Sequence, residues 1–340
     1  MYEACERAKV SIDIEQYIFE DDPQGRQFLD MLSRQAQQGV AVRLLCDMVG
    51  SYSLYGSRTL FEAERSGVQV RFFNTIKPWW AHKLFTWFLR THRKLLVVDG
   101  ATGLIGGVGI RAYKSERRDT HVQVTGPVVT QFTKAFERMW EMTAREKRSF
   151  GFARPEGEPG EFTLLTNSPH FRQRFTYRAL VERFLGAQRF IYVTTPYFIP
   201  DGRLFRALRR AARRGVDVRV LLPKDPDWRP LAFGNHSFYS RALRSGIRIF
   251  EYGPGFIHSK TYVVDDRWAS VGSSNLDSLS LLFNYEADLA STSSRFVAEL
   301  KGQFLNDLRA TQEVSRVKWH QRSFWQKCRE QFFRPFHRFM

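Results

Sequence analysis

HRKLLVVD at residues 92–99 and HSKTYVVD at residues 258–265 are two copies of one signature, in which histidine and lysine alternate and an aspartate closes a short apolar run. A single match carries little weight, but two copies with identical internal spacing in one chain indicate a duplicated unit. The pair therefore predicts one active site assembled from two similar halves.

The duplication extends beyond the two signatures. Residues 10–45 and 190–222 both read as strand, turn with glycine, amphipathic helix, glycine and strand, and RSGVQVRFF at 65–73 matches RSGIRIFEY at 244–252. Strands that alternate with helices of about ten to fifteen residues favour a mixed sheet covered by helices. We predict an α/β fold of two pseudo-symmetric domains, each a mixed β-sheet flanked by helices, with one shared active site at their interface.

Composition sets the expected domain boundaries. Residues 149–161 are rich in Pro, Gly and Glu and read as a linker, so 1–148 and 162–312 are the expected domains and 313–340 is a basic, aromatic C-terminal tail. The stretch 162–180 has no counterpart in the first half. The first domain is therefore expected to lack its N-terminal strand, either because the chain is truncated or because this version dispenses with an edge strand.

Charge and cysteine content exclude several classes of protein. The chain has 52 Lys and Arg against 35 Asp and Glu, a formal net charge of +17, which indicates an anionic partner, either nucleic acid or acidic lipid. No apolar run approaches the roughly 20 residues that span a bilayer, and no signal-peptide pattern opens the chain. Three cysteines without metal-ligand spacing argue against a disulfide scaffold or a zinc site.

The residue types of the signature suit displacement at a phosphodiester. Because side chains alternate between the faces of a strand, His92 and Lys94 are expected to project together, as are His258 and Lys260. One neutral imidazole attacks phosphorus, the other, protonated, gives its proton to the departing alkoxide, and the lysines neutralise the non-bridging oxygens. An amide donor at Asn275 fits the same chemistry, and we expect neither a metal site nor a cofactor.

Acidic residues accompany both signatures. Asp119 and Glu286 follow the two histidines at nearly the same distance downstream, where a carboxylate can fix a histidine tautomer and raise its basicity. Asp99 and Asp265 lie an odd number of residues from the histidines. They are expected on the opposite strand face, where they serve structure.

These motifs resemble a known family. The two signatures, with GSSN at 272–275 and NYE at 284–286, are similar to those of the phospholipase D superfamily. Over residues 8–300, stretches such as QYIFEDDPQG and PYFIPDG further resemble bacterial cardiolipin synthases of the short type without N-terminal transmembrane helices. The resemblance implies a metal-independent transfer of a phosphatidyl group from phosphatidylglycerol, through a phosphohistidine, to the hydroxyl of a second phosphatidylglycerol, with release of glycerol.

The resemblance also implies roles for particular residues. Catalytic roles carry over onto His92, Lys94, His258, Lys260, Ser273 and Asn275, with Asp119 and Glu286 as orienting partners; His92 is favoured as nucleophile and His258 as acid. This chain departs from the family where Gly109 stands in place of the usual Asn. The first half is therefore expected to lose one phosphate-binding amide.

Two aromatic and basic segments favour lipid over nucleic acid. Residues 75–91 carry Trp79, Trp80, Phe85, Trp87 and Phe88, which fit a membrane interface, although a buried helical lid is the other interpretation. The tail reads as a basic amphipathic helix on a membrane surface, or as a helix packed on the protein. By resemblance, the protein is peripheral on the cytoplasmic face of a bacterial inner membrane, with the membrane surface and an anionic phospholipid as its partners.

Two other functions stay open at this point. A phospholipase D would release phosphatidic acid to water, and a metal-independent phosphodiesterase would cleave nucleic acid held in a basic, aromatic groove. A catalytically inactive binding protein is disfavoured because both His-Lys pairs are intact.

Overall fold

The computed structural model describes residues 1–75, 89–113, 116–144, 160–226 and 229–323 of the 340-residue chain. Within these ranges the chain forms one sheet of six strands and one of eight, each flanked by helices. Two further pairs of short strands, each only two residues long, complete the β-structure of this part of the chain. The predicted α/β fold with two similar halves is confirmed.

The first half is a six-stranded sheet in the order β3-β2-β1-β4-β5-β7. β1, β2 and β3 are parallel, whereas β4, β5 and β7 are antiparallel to their neighbours. Its elements are α1 (Tyr2–Glu6), β1 (Ser11–Gln16), α2 (Pro23–Gln37), β2 (Ala41–Asp47), α3 (Arg58–Arg65), β3 (Gln69–Phe73), β4 (Leu95–Val98), β5 (Thr102–Gly106), β6 (Arg117–Arg118), β7 (His121–Thr125) and α4 (Val129–Ala144).

The second half is an eight-stranded sheet in the order β18-β12-β11-β9-β14-β15-β17-β8. Its elements are β8 (Phe162–Asn167), α5 (Phe175–Gly186), β9 (Phe190–Thr194), β10 (Phe198–Ile199), α6 (Gly202–Arg213), β11 (Asp217–Pro223), α7 (Arg229–Arg244), β12 (Arg248–Tyr252), β13 (Phe256–Ile257), β14 (Thr261–Val264), β15 (Trp268–Gly272), β16 (Leu276–Asp277), β17 (Glu286–Ser291), α8 (Ser294–Leu308), β18 (Thr311–Glu313) and α9 (Arg316–His320). A π-helical turn, Leu279–Phe283, lies between β16 and β17.

The two sheets repeat the same arrangement. The order β3-β2-β1-β4-β5-β7 corresponds strand for strand to β12-β11-β9-β14-β15-β17, and the second sheet carries β18 and β8 beyond these six. Local sequence explains the shared connections. Asp22 and Asp201 accept hydrogen bonds from backbone N–H groups in the first turns of α2 and α6, so each helix begins soon after the equivalent strands β1 and β9.

The halves share a core rather than merely touching. One buried apolar cluster contains Val97 and Phe132 from the first half together with Val263 and Leu289 from the second. Backbone hydrogen bonds also cross between the halves, as His92 N donates to Tyr285 O over 2.9 Å. Among the described residues, no helix has the length and apolar character that crossing a bilayer requires.

Candidate active site

In each signature, the histidine and the lysine lie just before the strand that the following apolar residues form. β4 begins at Leu95 and β14 at Thr261, so the histidines and lysines precede the strands on which the alternation of side chains had placed them. The reason is that their backbone groups bond the opposite half. His92 N donates to Tyr285 O, and His258 N donates to Arg118 O over 2.8 Å.

Each signature histidine is paired with a carboxylate of the other half. His92 Nδ1 lies 3.1 Å from both carboxylate oxygens of Glu286, and His258 Nδ1 lies 2.8 Å from Asp119 Oδ2. Sequence spacing relates each acid to the histidine of its own half, but the structure crosses the two pairs. In each pair the carboxylate holds Nδ1, which leaves Nε2 for chemistry.

The two lysines are buried and anchored in the same way. Lys94 Nζ donates to His92 O over 2.6 Å, and Lys260 Nζ donates to His258 O over 2.5 Å. Burial lowers the pKa of Lys94 to about 8. The negative charges of four nearby acids raise this pKa but do not offset the burial; they are Glu286, Asp119, Asp47 and Glu15. Each ammonium is therefore held beside its own histidine.

Both histidines favour the neutral imidazole. Burial is the largest cause that lowers the pKa of each, and the positive charges of Lys94 and Lys260 lower it further. Burial alone would raise the pKa of Asp119, but the hydrogen bond from His258 and the nearby positive charge bring it below its usual range. In the second pair the His258 imidazole therefore donates to an ionised carboxylate, whose charge is available when this imidazole takes up a second proton.

Glu286 differs from Asp119 in its surroundings. It is completely buried, and burial raises its pKa to about 7, although the positive charge of Lys94 and hydrogen bonds from two serine hydroxyls lower it. Ser273 Oγ donates to one carboxylate oxygen over 2.5 Å, and Ser280 Oγ donates to the other. Ser273 therefore contacts the pair in two ways, because its buried hydroxyl bonds Glu286 and its backbone carbonyl oxygen lies 3.1 Å from His92 Nδ1.

The histidines converge on one cavity. His92, Lys94, His258 and Asn275 all line a space of about 290 Å³ at the junction of the halves. The side-chain carbonyl oxygen of Asn275 is buried and has no hydrogen-bond partner among the described residues. Two histidines, a lysine and an amide thus surround a space in which a phosphodiester group can be held between two imidazoles.

Two tyrosines of the cavity were not singled out by sequence reasoning. Tyr17 and Tyr197 both line the cavity, and the Tyr17 ring meets the His92 ring edge-on with centroids 4.9 Å apart. Lys94 Nζ lies 5.3 Å from the centre of the Tyr17 ring. The signal was present in the repeat, because QYIF at 16–19 and PYFI at 196–199 place a tyrosine just after the equivalent strands β1 and β9.

Gly109 lies on the cavity wall, as does Asn275 at the equivalent position of the repeat. The phenol of Tyr113 lies beside Gly109: Gly109 N donates to Tyr113 Oη over 3.1 Å, and Tyr113 Oη donates to Gly109 O over 3.3 Å. A Cβ at Gly109 would stand only 3.2 Å from Ile18 O. A hydroxyl therefore stands in the first half near the place where the second half has an amide.

The aspartates of the signature turn away from the cavity. Asp99 Oδ1 accepts from the backbone N–H groups of Val10 and Ser11 at 2.7 and 2.9 Å, and Asp265 Oδ1 accepts from those of Arg189 and Phe190 at 2.8 and 2.9 Å. Both aspartates have positive φ, near 54°, which ends the strand. Each ties the end of one central strand to the start of its neighbour.

The segments expected at a membrane are described only in part. Trp79, Trp80, Phe85, Trp87 and Phe88 lie outside the described residues, as do residues 149–159 of the expected linker and 324–340 of the tail. The part of the tail that the structure describes packs on the second half. β18 pairs with β12, and Trp319 Nε1 donates to Ser240 Oγ of α7 over 3.1 Å.

Comparison with known proteins gives a consistent result. The family described as cardiolipin synthase, phospholipase D-like domain, matches residues 1–140 and 180–308. Cardiolipin synthase A of Pseudomonas fluorescens (strain SBW25) is 36% identical over 323 residues, which cover 93% of this chain and 67% of that protein. Cardiolipin synthase A of Pseudomonas syringae pv. syringae (strain B728a) is 35% identical over 94% of this chain and 68% of its own length.

Solved structures agree on the fold. Phosphatidylserine synthase from Haemophilus influenzae Rd KW20 superposes with a TM-score of 0.71 at 16% identity, over 99% of this chain and 90% of that chain. Polyphosphate kinase from Porphyromonas gingivalis matches with a TM-score of 0.64 at 14% identity, over 100% of this chain and 51% of that chain. At these identities the likeness supports the two-half architecture only.

Proposed function

This chain belongs to the cardiolipin synthase family with phospholipase D-like domains, and from that membership we propose that it joins two phosphatidylglycerol molecules into cardiolipin and releases glycerol. As a phosphatidyltransferase it acts on phospholipid. The observation that carries the proposal is the crossed pairing, which directs two imidazoles, each held by a carboxylate of the opposite half, at one cavity.

The first step forms a phosphohistidine. His92 Nε2 attacks the phosphorus of the donor, the bond from phosphorus to the headgroup glycerol oxygen breaks, and His258 gives its proton to that oxygen. Lys94 and Lys260 stabilise the charge on the non-bridging oxygens, and the Asn275 amide offers a further hydrogen bond. Glycerol leaves with the proton from His258.

The second step reverses the roles. The hydroxyl of the acceptor phosphatidylglycerol attacks phosphorus and gives its proton to His258, while the bond between phosphorus and His92 breaks. This restores the neutral His92 and the protonated His258, so one cycle consumes two lipids and yields cardiolipin and glycerol. Asp119 and Glu286 keep each imidazole in one tautomer throughout.

The unequal carboxylates support this assignment of roles. His258 faces Asp119, whose pKa lies below its usual range, so a full negative charge is present to stabilise the imidazolium that an acid requires. His92 faces Glu286, whose pKa is raised to about 7 by burial, so the stabilising charge is weaker there. A neutral His92 is the better nucleophile, and a protonated His258 the better acid.

The direct test is a product assay in the presence of EDTA. The purified protein is incubated with labelled phosphatidylglycerol in mixed micelles, beside a His258→Ala variant as control, and the products are separated by thin-layer chromatography. We expect cardiolipin and free glycerol, both lost in the variant. Phosphatidic acid as the sole lipid product would make the protein a hydrolase and contradict the proposal.

Association with a membrane surface follows from the substrate and is part of the proposal. Val49, Tyr52 and Tyr55 are 45%, 71% and 51% exposed in the loop after β2, and Ser51 of the same loop donates to Tyr17 O beside the cavity. Exposed aromatic side chains near an active site suit the headgroup region of a bilayer, and the net charge of +17 favours anionic lipid. We assign the cytoplasmic face of a bacterial inner membrane on the same grounds of charge and resemblance.

Vesicle binding tests this surface. The Tyr52→Ser/Tyr55→Ser double variant is expected to co-sediment more weakly with phosphatidylglycerol vesicles than the wild type, because two exposed aromatic rings are removed. Val10→Ser is the matched control, since Val10 is 66% exposed at the opposite end of β1. Equal binding by the wild type and the double variant would remove this loop from the proposed membrane contact.

A further inference from the structure

The cavity is electrically asymmetric although the fold that builds it is symmetric. Aligning the repeats places Arg111 opposite Asp277 and Tyr113 opposite Leu279, and all four line the cavity. Asp277 is the sole acid among the described residues of the wall, and burial raises its pKa to about 7. The first-half side therefore carries positive charge, whereas the second-half side has an apolar residue and a carboxyl that holds a proton over part of the neutral range.

The positive side is formed by a compact group, Arg111, Tyr113 and Arg117, called here the arginine cluster. Both guanidinium carbons lie over the Tyr113 ring, that of Arg111 at 5.6 Å and that of Arg117 at 4.6 Å from its centre. The Arg117 guanidinium also lies 4.7 Å from the centre of the Phe256 ring. Stacking uses the faces of the guanidiniums, and their N–H groups lie at the edges, where hydrogen bonds form.

The cluster is held in place by both halves. Arg117 belongs to β6, which pairs in parallel with β13 of the second half. Its partner in that pairing is Phe256, two residues before His258. Arg111 Nη1 lies 3.0 Å from Glu20 Oε1, but Arg111 Nε is buried with no hydrogen-bond partner among the described residues. A buried guanidinium N–H without an acceptor is costly, which favours a ligand oxygen at that place.

The cluster exceeds what the reacting phosphate needs. A phosphodiester carries one negative charge, and Lys94 and Lys260 already stand beside the two histidines. Two further guanidiniums on one side of the same cavity fit a second anion near the first. The acceptor in the proposed reaction carries such an anion, because its own phosphodiester remains intact during transfer.

We propose that Arg111, Tyr113 and Arg117 bind the phosphodiester of the acceptor phospholipid and thereby select an anionic lipid over water or a neutral alcohol as the acceptor. This inference rests on the proposed function and names a subsite for it. The guanidiniums hold the acceptor phosphate, and the Tyr113 ring, over which both of them lie, keeps them at the cavity wall. The acceptor hydroxyl then reaches the phosphohistidine.

The test compares two acceptors of one enzyme. Arg111→Gln, Arg117→Gln and the wild type are each given labelled phosphatidylglycerol in mixed micelles with EDTA, with and without ethanol, and cardiolipin and phosphatidylethanol are quantified. Transfer to ethanol uses the same donor and the same phosphohistidine but no acceptor phosphate. Arg295→Gln on α8 is the control, because Arg295 is exposed and pairs only with Glu299 in the described part of the chain.

We expect each cluster variant to lower cardiolipin formation about tenfold while phosphatidylethanol formation stays near the wild-type rate, as loss of one charge-assisted hydrogen bond predicts. Arg117→Lys keeps the charge and should recover part of the loss. Thermal melting identifies any variant that fails to fold, and the second arginine then carries the test.

Three results would overturn the subsite. Equal loss of both products in folded variants would place the arginines at the reacting phosphate, and no loss of either would leave them without a role in the reaction. A wild type that makes phosphatidylethanol but no cardiolipin would contradict the proposed function, and the acceptor subsite with it. If the wild type makes cardiolipin but the variants lose both products equally, or lose neither, only the subsite is contradicted and the proposed function stands.

Discussion

At the scale of single residues, Asp119 and Glu286 occupy equivalent positions of the repeat but hold different charges. Asp119 is partly exposed and accepts from His258, whereas Glu286 is fully buried and accepts from Ser273 and Ser280 as well as from His92. Burial in a low-dielectric site disfavours the ionised form, so Asp119 stays charged at pH 7, whereas Glu286, with its pKa raised to about 7, is only partly ionised there. Equivalent residues can therefore support different roles in one reaction, Glu286 beside the proposed nucleophile and Asp119 beside the proposed acid.

The assignment of nucleophile is tested by trapping the intermediate. His92→Ala and His258→Ala are incubated with phospholipid labelled in the phosphatidyl group and quenched in acid-free denaturant. Label is expected to stay on His258→Ala and to be absent from His92→Ala, because the nitrogen that attacks phosphorus is missing only in the latter. Label retained by His92→Ala would exchange the roles of the two histidines.

The pH dependence of the rate follows from Lys94. Its pKa is lowered to about 8 by burial, so its positive charge is present below that pH and is lost as the pH rises through it. Since the charge stabilises the transition state, kcat/KM is expected to fall above about pH 8. The profile is measured from pH 6 to 10 in micelles of constant composition. A rate that stays level up to pH 10 would show that the ammonium is not required.

At the scale of elements, the signature aspartates join strands. Asp99 accepts from the backbone N–H groups of Lys9, Val10 and Ser11, which fixes the start of β1 beside the end of β4. Burial raises the pKa of Asp99, but these three bonds outweigh it and lower the pKa overall. The stabilising contribution is therefore present above the unfolded-state pKa and is lost as the pH falls toward the lower folded-state value.

Substitution of Asp99 is expected to affect stability rather than chemistry. Asp99→Ala removes three hydrogen bonds and places alanine at a φ of 53°, so the free energy of unfolding should fall by about 1–2 kcal/mol. Asp99→Asn is the matched control, because asparagine keeps an acceptor oxygen and tolerates positive φ. Denaturant titration gives the free energies. A large loss of kcat in Asp99→Ala at unchanged stability would assign the residue to the reaction instead.

At the scale of the whole molecule, each half completes the other. His92 needs Glu286 of the second half, His258 needs Asp119 of the first, and β6 of the first half pairs with β13 of the second. The largest side chains of α4 and α8 meet in one shared apolar cluster. The active site therefore exists only where the halves are docked.

This shared core predicts cooperative unfolding. Calorimetry of the intact protein is expected to show one transition, because separating the halves would expose the apolar cluster that they build together. The Phe132→Ala variant, which opens a cavity in that cluster, should lower the temperature of the whole transition. Two resolved transitions, with only one of them shifted, would show that the halves unfold independently.

The sequence by itself determined the duplication, the α/β class, the two His-Lys pairs proposed to react, and the family. These follow from local spacing and residue type, which survive in the linear chain: HxKxxxxD is read without knowing where the strand lies. The repeat also contained Tyr17 and Tyr197, since they follow the equivalent strands β1 and β9.

The tertiary structure alone decided which carboxylate meets which histidine, and where charge accumulates in the cavity. Asp119 lies closer in sequence to His92, yet it pairs with His258. The reason is that docking of the halves pairs β6, which directly precedes Asp119, with β13, which directly precedes His258. The arginine cluster has the same origin, as Arg117 is positioned by a strand of the opposite half. Hydrogen bonds and desolvation depend on distances through space, and sequence spacing within one half contains no information about contacts that form between the two.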